Sequence, residues 1–242
     1  MIAISFATRS GLAVKRVLYF HGFASSPSSE KVKVLRRLLT PVPAPVPAPV
    51  PGLSGGGAEK PGTGTGIELV APDLNVPSFE QLDWPSMVSL GLATGRAIDP
   101  CAVVGSSLGA LLALDVVRRG IERPLILIAP PLGLAQHWLP SLPPGDPVEV
   151  FDHARNANAP IHRKFFEQVA EVDADREPPP VPVVAFMGIE DETLPFERVE
   201  AVWRRWQPRA APGSRFVAVA GGNHSLLSCV EDIAIEIRQR CV

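Results

Sequence analysis

Ala102-Val103-Val104-Gly105-Ser106-Ser107-Leu108-Gly109-Ala110 passes without a break from a β-branched apolar run into a small-residue turn, and then into an apolar segment of helical period that runs to Arg119. An apolar strand entering a helix through Gly-x-Ser-x-Gly predicts a tight strand–turn–helix unit with the central serine at its apex. The flanking residues must be small, because the chain folds back on itself there. Ser107 takes the apex and Ser106 the variable position. The start of the following helix brings free N–H groups and the positive end of its dipole beside that apex, which suits a developing anion. A Gly/Ser-rich turn before a buried helix would have the same spelling, so the rest of the chain must discriminate.

Outward from this unit, short apolar runs alternate with helical spacing in both directions. Val17–Phe20, Ile67–Pro72, Ala102–Val104, Pro124–Ala129, Val181–Phe186 and Arg215–Val219 read as strands. Ser28 or Ser29 caps a helix with Val32, Leu35, Leu38 and Leu39 on one face. Ser78-Phe79-Glu80-Gln81 has capping-box form, and Pro85 suits the first turn of a helix running toward Arg96. A last helix carries Leu226, Val230, Ile233, Ala234 and Ile237. Continuous apolar strands separated by helices predict an α/β fold, with a mostly parallel sheet covered by helices on both faces.

With Lys+Arg 23 against Asp+Glu 25 and no long basic run, electrostatically driven nucleic-acid binding is excluded as a leading reading. No apolar stretch reaches the roughly 20 residues that cross a bilayer. Cys101, Cys229 and Cys241 are too few and too irregularly placed for a disulfide framework or zinc motif, so they read as buried or incidental thiols. The N-terminus has no signal-peptide pattern, and the default expectation is a protein of the reducing cytoplasm. Proline is the outlier, with 27 of 242 residues against a usual share of roughly 5%. Much of the excess lies in residues 41–66, where alternating prolines and then glycine clusters predict an extended surface insertion within one domain spanning residues 1–242. Residues 131–180 break the rhythm a second time. They hold one expected short helix, Arg163 to Glu171, and sit where a small cap over a site would be inserted.

A serine at such an apex needs a base, and the base needs an orienting carboxylate. Of five histidines, His224 in Gly221-Gly222-Asn223-His224-Ser225 follows the last strand and lies on the same sheet edge as Ser107. His21 also follows a strand, beside Gly22, and reads chiefly as backbone-shaping. His137, His153 and His162 fall in the irregular segment, where substrate contact or solvent exposure is expected. Glu190, Asp191 and Glu192 compete for the acid. Asp191 fits a G-x-x-D-x-x-hydrophobic-P loop after the penultimate strand, giving the chain order Ser107, Asp191, His224.

Together with Leu18-Tyr19-Phe20-His21-Gly22-Phe23 and Ser25-Ser26-Pro27, these motifs resemble the α/β-hydrolase superfamily, and most of all its small bacterial YqiA-type esterases. The resemblance covers most of the chain but not residues 41–66. It implies a reduced sheet of about six strands and a small cap insertion. It also implies an oxyanion hole formed by the backbone N–H groups of Phe23 and Leu108. The expected activity is carboxylic-ester hydrolysis on a small-molecule substrate through Ser107, His224 and Asp191, without metal or organic cofactor, by a monomer or weak homo-oligomer. His21, His137, Trp138, Phe165, Phe166 and Leu194 are the candidates for substrate contact. An acyl-CoA thioesterase with the same three residues, or a non-enzymatic binding protein of this fold, are the alternatives.

Overall fold

The computed structural model describes residues 14–40, 66–133, 135–153 and 155–241. The proline-rich stretch expected as a surface insertion, residues 41–66, lies outside them except for Gly66. Six parallel strands form the main sheet: β1 (Lys15–Phe20), β2 (Ile67–Val70), β3 (Ala102–Ser106), β4 (Leu125–Ile128), β7 (Val183–Gly188) and β8 (Arg215–Val219), in the order β2-β1-β3-β4-β7-β8. The strands between, β5 (Val148–Asp152) and β6 (Ala157–Ile161), form a separate antiparallel hairpin.

Burial explains why the central strands are apolar throughout. β3, β4 and β7 are buried at every residue, because each is flanked by strands and covered on both faces. The edge strands β2 and β8 are only partly buried. The helices are α1 (Glu30–Leu39), α2 (Trp84–Ile98), α3 (Leu108–Arg118), α4 (Ala135–Ser141), α5 (Arg163–Ala170), α6 (Phe196–Trp206) and α7 (Val230–Arg240). α1 packs against α7 and α2 against α3, with helices on both sides of the sheet. The chain leaves β1 for β2 and then returns past β1 to β3. The carboxyl ends of β1 and β3 therefore open onto a topological switch point, where sheets of this type place their ligands.

Three local expectations are corrected. The capping-box residues 78–81 form a turn, in which Gln81 N–H donates to the Ser78 hydroxyl at 3.3 Å, and the helix starts later. Asp83 caps it instead, accepting from Ser86 N–H at 3.0 Å, while its other oxygen takes the Gln168 amide at 2.9 Å and ties α2 to α5. The segment 131–180 is more regular than its composition suggests, because it contains α4 and the β5–β6 hairpin as well as the expected helix α5. The third correction concerns the cysteines. Cys101 and Cys241 are 140 residues apart yet disulfide-bonded, and only Cys229 is a free buried thiol. Sparse cysteines carry no pairing signal in sequence; the fold brings the end of α7 to the start of β3. With the bond in place, cysteine usage no longer argues for a reducing compartment.

The C-terminus is clamped by more than this bond. Buried Glu236 is ion-paired with Arg215 and with Arg240 at 2.7 Å, Arg238 reaches the Leu38 carbonyl, and Lys15 reaches the Cys241 carbonyl. Closing a loop of this length stabilises the fold by up to about 5 kcal/mol in the chain-entropy account. The bond lies at the amino-terminal edge of the sheet, away from Ser107. Reduction with dithiothreitol, or Cys101→Ser, should therefore lower Tm by several degrees, measured by calorimetry.

Candidate active site

β1 and β3 run side by side, with Phe20 level with Gly105, so the loops after them emerge together. Ser107 occupies the turn between β3 and α3 with φ 53° and ψ −125°, a left-handed conformation that side chains rarely adopt. Close backbone contact holds it there. A Cβ on Gly105 would sit 2.2 Å from the Gly109 carbonyl oxygen, and one on Gly109 would sit 2.3 Å from the Phe20 oxygen. Gly105 is thus required where α3 folds back over β3, and Gly109 where α3 crosses β1. Ser107 N–H is spent on the Ile128 carbonyl at 2.8 Å, which pins the turn to β4.

The Ser107 hydroxyl lies 3.0 Å from His224 Nε2, and His224 Nδ1 lies 2.9 Å from one oxygen of Asp191 and 3.1 Å from the other. The Asp191 side chain is fully buried, while the imidazole is about a quarter exposed. Burial alone would raise the Asp191 carboxyl. Hydrogen bonds from His224 and from the N–H groups of Leu194 and Thr193 outweigh it and hold the group below the ordinary carboxylate value. With Asp191 ionised, Nδ1 carries the proton, and Nε2 is left to accept from the serine. Glu192 instead accepts the His224 backbone N–H at 3.2 Å, and Glu190 is exposed. The loop after β8 approaches that after β7 closely: Glu190 N–H donates to the Gly222 carbonyl at 3.0 Å.

A cavity of about 450 Å³ opens over this chain of groups. Phe23, Leu108, Leu111, Pro131, Trp138 and Leu194 give it an apolar wall, and His137, His153, Ser141 and Thr193 add polar atoms from the loops and the cap. Phe23 and Leu108, the expected amide donors, both flank Ser107 here. Among the described residues no group of three or more His, Cys, Asp or Glu side chains is arranged to hold a metal ion.

No family model and no curated protein sequence matches the chain. Solved structures do. Est1E from Butyrivibrio proteoclasticus superposes with a TM-score of 0.65 at 12% identity, over 95% of this chain and 88% of that one. An esterase domain from a Rhodothermus marinus protein gives 0.63 at 17%, over 95% and 89%. Alpha/beta hydrolase domain-containing protein 10 from mouse gives 0.67 at 16%, over 98% of both chains. The chain has the α/β-hydrolase fold.

In this α/β-hydrolase fold, three of the six candidates for substrate contact, His21, Phe165 and Phe166, sit away from the cavity. His21 is buried away from the cavity. Its Nδ1 bonds the Gly22 carbonyl at 3.0 Å, and its Nε2 accepts from Leu74 N–H at 3.2 Å, a neutral tautomer that burial favours by lowering its pKa. It shapes the loop that carries Phe23. Phe165 and Phe166 do not line the cavity either. They are fully buried behind it, with ring centroids 6.0 and 5.9 Å from Phe23, and Phe166 is 4.9 Å from Trp138. They back the apolar wall rather than forming it. His162 is exposed beside Asp146, 3.5 Å away. His137, Trp138 and Leu194 do face the cavity.

Sequence reasoning did not single out Leu111, Pro131, Ser141 or Thr193, which reach the cavity only through tertiary packing. His153 is placed by a long-range bond, its N–H donating to the Ala24 carbonyl at 3.2 Å. Lys31 was also missed. It donates to the Ser106 hydroxyl at 2.8 Å from beneath the turn. A signal existed, since Lys31 lies four residues before Leu35 and so shares the buried face of α1. Because the Gly109 contact is with rigid backbone, Gly109→Ala should cost about 3 kcal/mol and lower Tm by roughly 6–12 °C, or prevent soluble expression. Thermal denaturation of the purified variant measures this.

Proposed function

We propose that the protein is a serine hydrolase of carboxylic esters, acting through Ser107, His224 and Asp191 with an acyl-enzyme intermediate. The observation that carries this reading is the unbroken hydrogen-bonded line from the Ser107 hydroxyl through both ring nitrogens of His224 to buried Asp191, opening on an apolar-walled cavity. Ser107 Oγ attacks the acyl carbon while His224 Nε2 takes its proton. The backbone N–H groups of Phe23 and Leu108 stabilise the tetrahedral oxyanion. His224 returns the proton to the departing alkoxide, releasing the alcohol and leaving the acyl group on Ser107. Water then attacks by the same route, its proton passing through His224 back to Ser107 as the acid leaves. Asp191 keeps the imidazole in the working tautomer and balances the imidazolium formed in each half-reaction. The residue chemistry calls for no cofactor. Ester-cleaving proteins among the structures that share the fold support the reading, as does the likeness of the sequence motifs to the YqiA-type esterases.

Among the described residues the cap over the cavity consists of α4, the β5–β6 hairpin and α5, without a long amphipathic lid. A cavity of this size accepts short and medium acyl chains, and each further methylene contributes its roughly 0.8 kcal/mol only where there is room for it. The expected kcat/KM is highest from acetyl to hexanoyl esters and falls for palmitoyl. A p-nitrophenyl ester series, run beside the matching acyl-CoA thioesters, measures this; a maximum at long chains or on thioesters would displace the short-chain ester reading. Ser107→Ala should abolish turnover and fluorophosphonate labelling, whereas Ser106→Ala should still label. Asp191→Asn should lower kcat by about 10⁴-fold, by analogy with other triads, while Glu190→Gln stays near wild type. Labelling of Ser106 in place of Ser107, or an unaffected Asp191→Asn, would reassign the roles.

A further inference from the structure

Lys31 is a cation in a place that ordinarily excludes one. It projects from α1 beneath the carboxyl edge of the sheet and donates to the Ser106 hydroxyl, next to Ser107 in the chain and 6% exposed. Ser106 also shares a hydrogen bond with Tyr19, the protein's one tyrosine, buried in β1. The other titratable groups that act on the ammonium are the Cys229 thiol, before α7, and the Asp191 carboxylate, after β7; Asp232 acts in turn on Cys229. The ammonium thus touches the turn after β3 through Ser106, which Tyr19 of β1 also bonds, and feels the charges of Cys229 and Asp191 at longer range. Burying an ammonium is costly unless something is gained. Among the described residues no carboxylate makes a direct ion pair with it, so its main partner is a neutral hydroxyl beside the strained turn.

We propose that Lys31 is a positioning residue for the reaction, its ammonium holding the Ser106 side of the turn by a direct hydrogen bond and adding a partly buried positive charge that Asp191 feels, so that Ser107 and the carboxylate stay aligned on His224. This rests on the assignment of Ser107, His224 and Asp191 above. Desolvation lowers the Lys31 ammonium to about 8, with Cys229 and Asp191 opposing it. The group therefore loses its proton within the range of an ordinary pH profile. A lysine whose folded value lies below its unfolded value weakens folding at neutral pH, and that burden is relieved as pH rises from about 8 toward 10.

The test measures kcat, KM and Tm with p-nitrophenyl butyrate from pH 6 to 10 for wild type, Lys31→Met and Lys31→Arg. At pH 7, Lys31→Met should lose about tenfold or more in kcat, with KM within twofold and Tm equal to or above wild type. Wild-type kcat should decline as pH rises through about 8. Lys31→Met should lack that inflection, and Lys31→Arg, which keeps its charge, should retain most of kcat through pH 9. A Lys31→Met protein with wild-type kcat, one whose kcat and Tm fall together, or one that keeps the inflection would overturn the proposal. If Lys31→Met does not fold, the other two profiles decide: a wild type that does not decline near pH 8, or a Lys31→Arg that declines with it, is the overturning result. A folded wild type with neither turnover nor fluorophosphonate labelling would remove the ester-hydrolase assignment itself, which an insensitive Lys31→Met in an active enzyme would leave standing.

Discussion

The approach of α3 to β1 at Gly109, where a single Cβ would sit 2.3 Å from the Phe20 carbonyl oxygen and 2.5 Å from that of His21, is the contact on which the candidate site depends. It lets the helix start directly over the end of the neighbouring strand. That forces Ser107 into its left-handed turn and points its hydroxyl away from the sheet toward the β7 and β8 loops. Gly22 then lies against the serine, its Cβ position 3.3 Å from Ser107 Cβ, so the chain leaving β1 is drawn in as well. The arrangement is rigid because it is backbone against backbone; no rotamer change can relieve it.

Around that contact, strain and compensation are distributed through hydrogen bonds. The Ser107 N–H is fastened to β4, the Asp191 carboxylate accepts two backbone N–H groups as well as His224, and His21 bridges the Gly22 carbonyl and the Leu74 N–H. Among the described residues each buried polar side-chain atom of the site has its partner, which is what a low-dielectric setting requires. The apolar half is built in two layers. Phe23 and Trp138 meet edge to face at 4.9 Å and present the wall, while Phe165 and Phe166 on α5 back them. The cap thereby belongs to the core rather than hanging over it, and α5 is tied further to α2 through Gln168.

At the opposite edge of the sheet the C-terminal helix is secured by chemistry of another kind: a disulfide, a buried carboxylate between two arginines, and side-chain bonds to terminal carbonyls. One end of the sheet therefore carries strained, functional turns and the other a covalent and ionic clamp. Lys31 is the exception to this division, a partly buried cation placed at the functional end.

What the sequence determined by itself was whatever is local in the chain. The six sheet strands were legible because each is a short apolar run, and the turn at Ser107 was legible because the backbone there tolerates only glycine at two fixed offsets. Asp191 and His224 could be picked out because each directly follows a strand end, and a parallel sheet puts all such ends on one edge. Only the tertiary structure decided what depends on distances between separate segments. It paired Cys101 with Cys241, moved the helix cap from Ser78 to Asp83, set Phe165 and Phe166 behind the cavity wall rather than on it, and turned His21 into the core. It also brought Lys31 under Ser106. The physical reason is common to all of these: a side chain's sequence neighbours set its local conformation, but its desolvation, its hydrogen-bond partner and the cavity it faces come from elements far away in the chain.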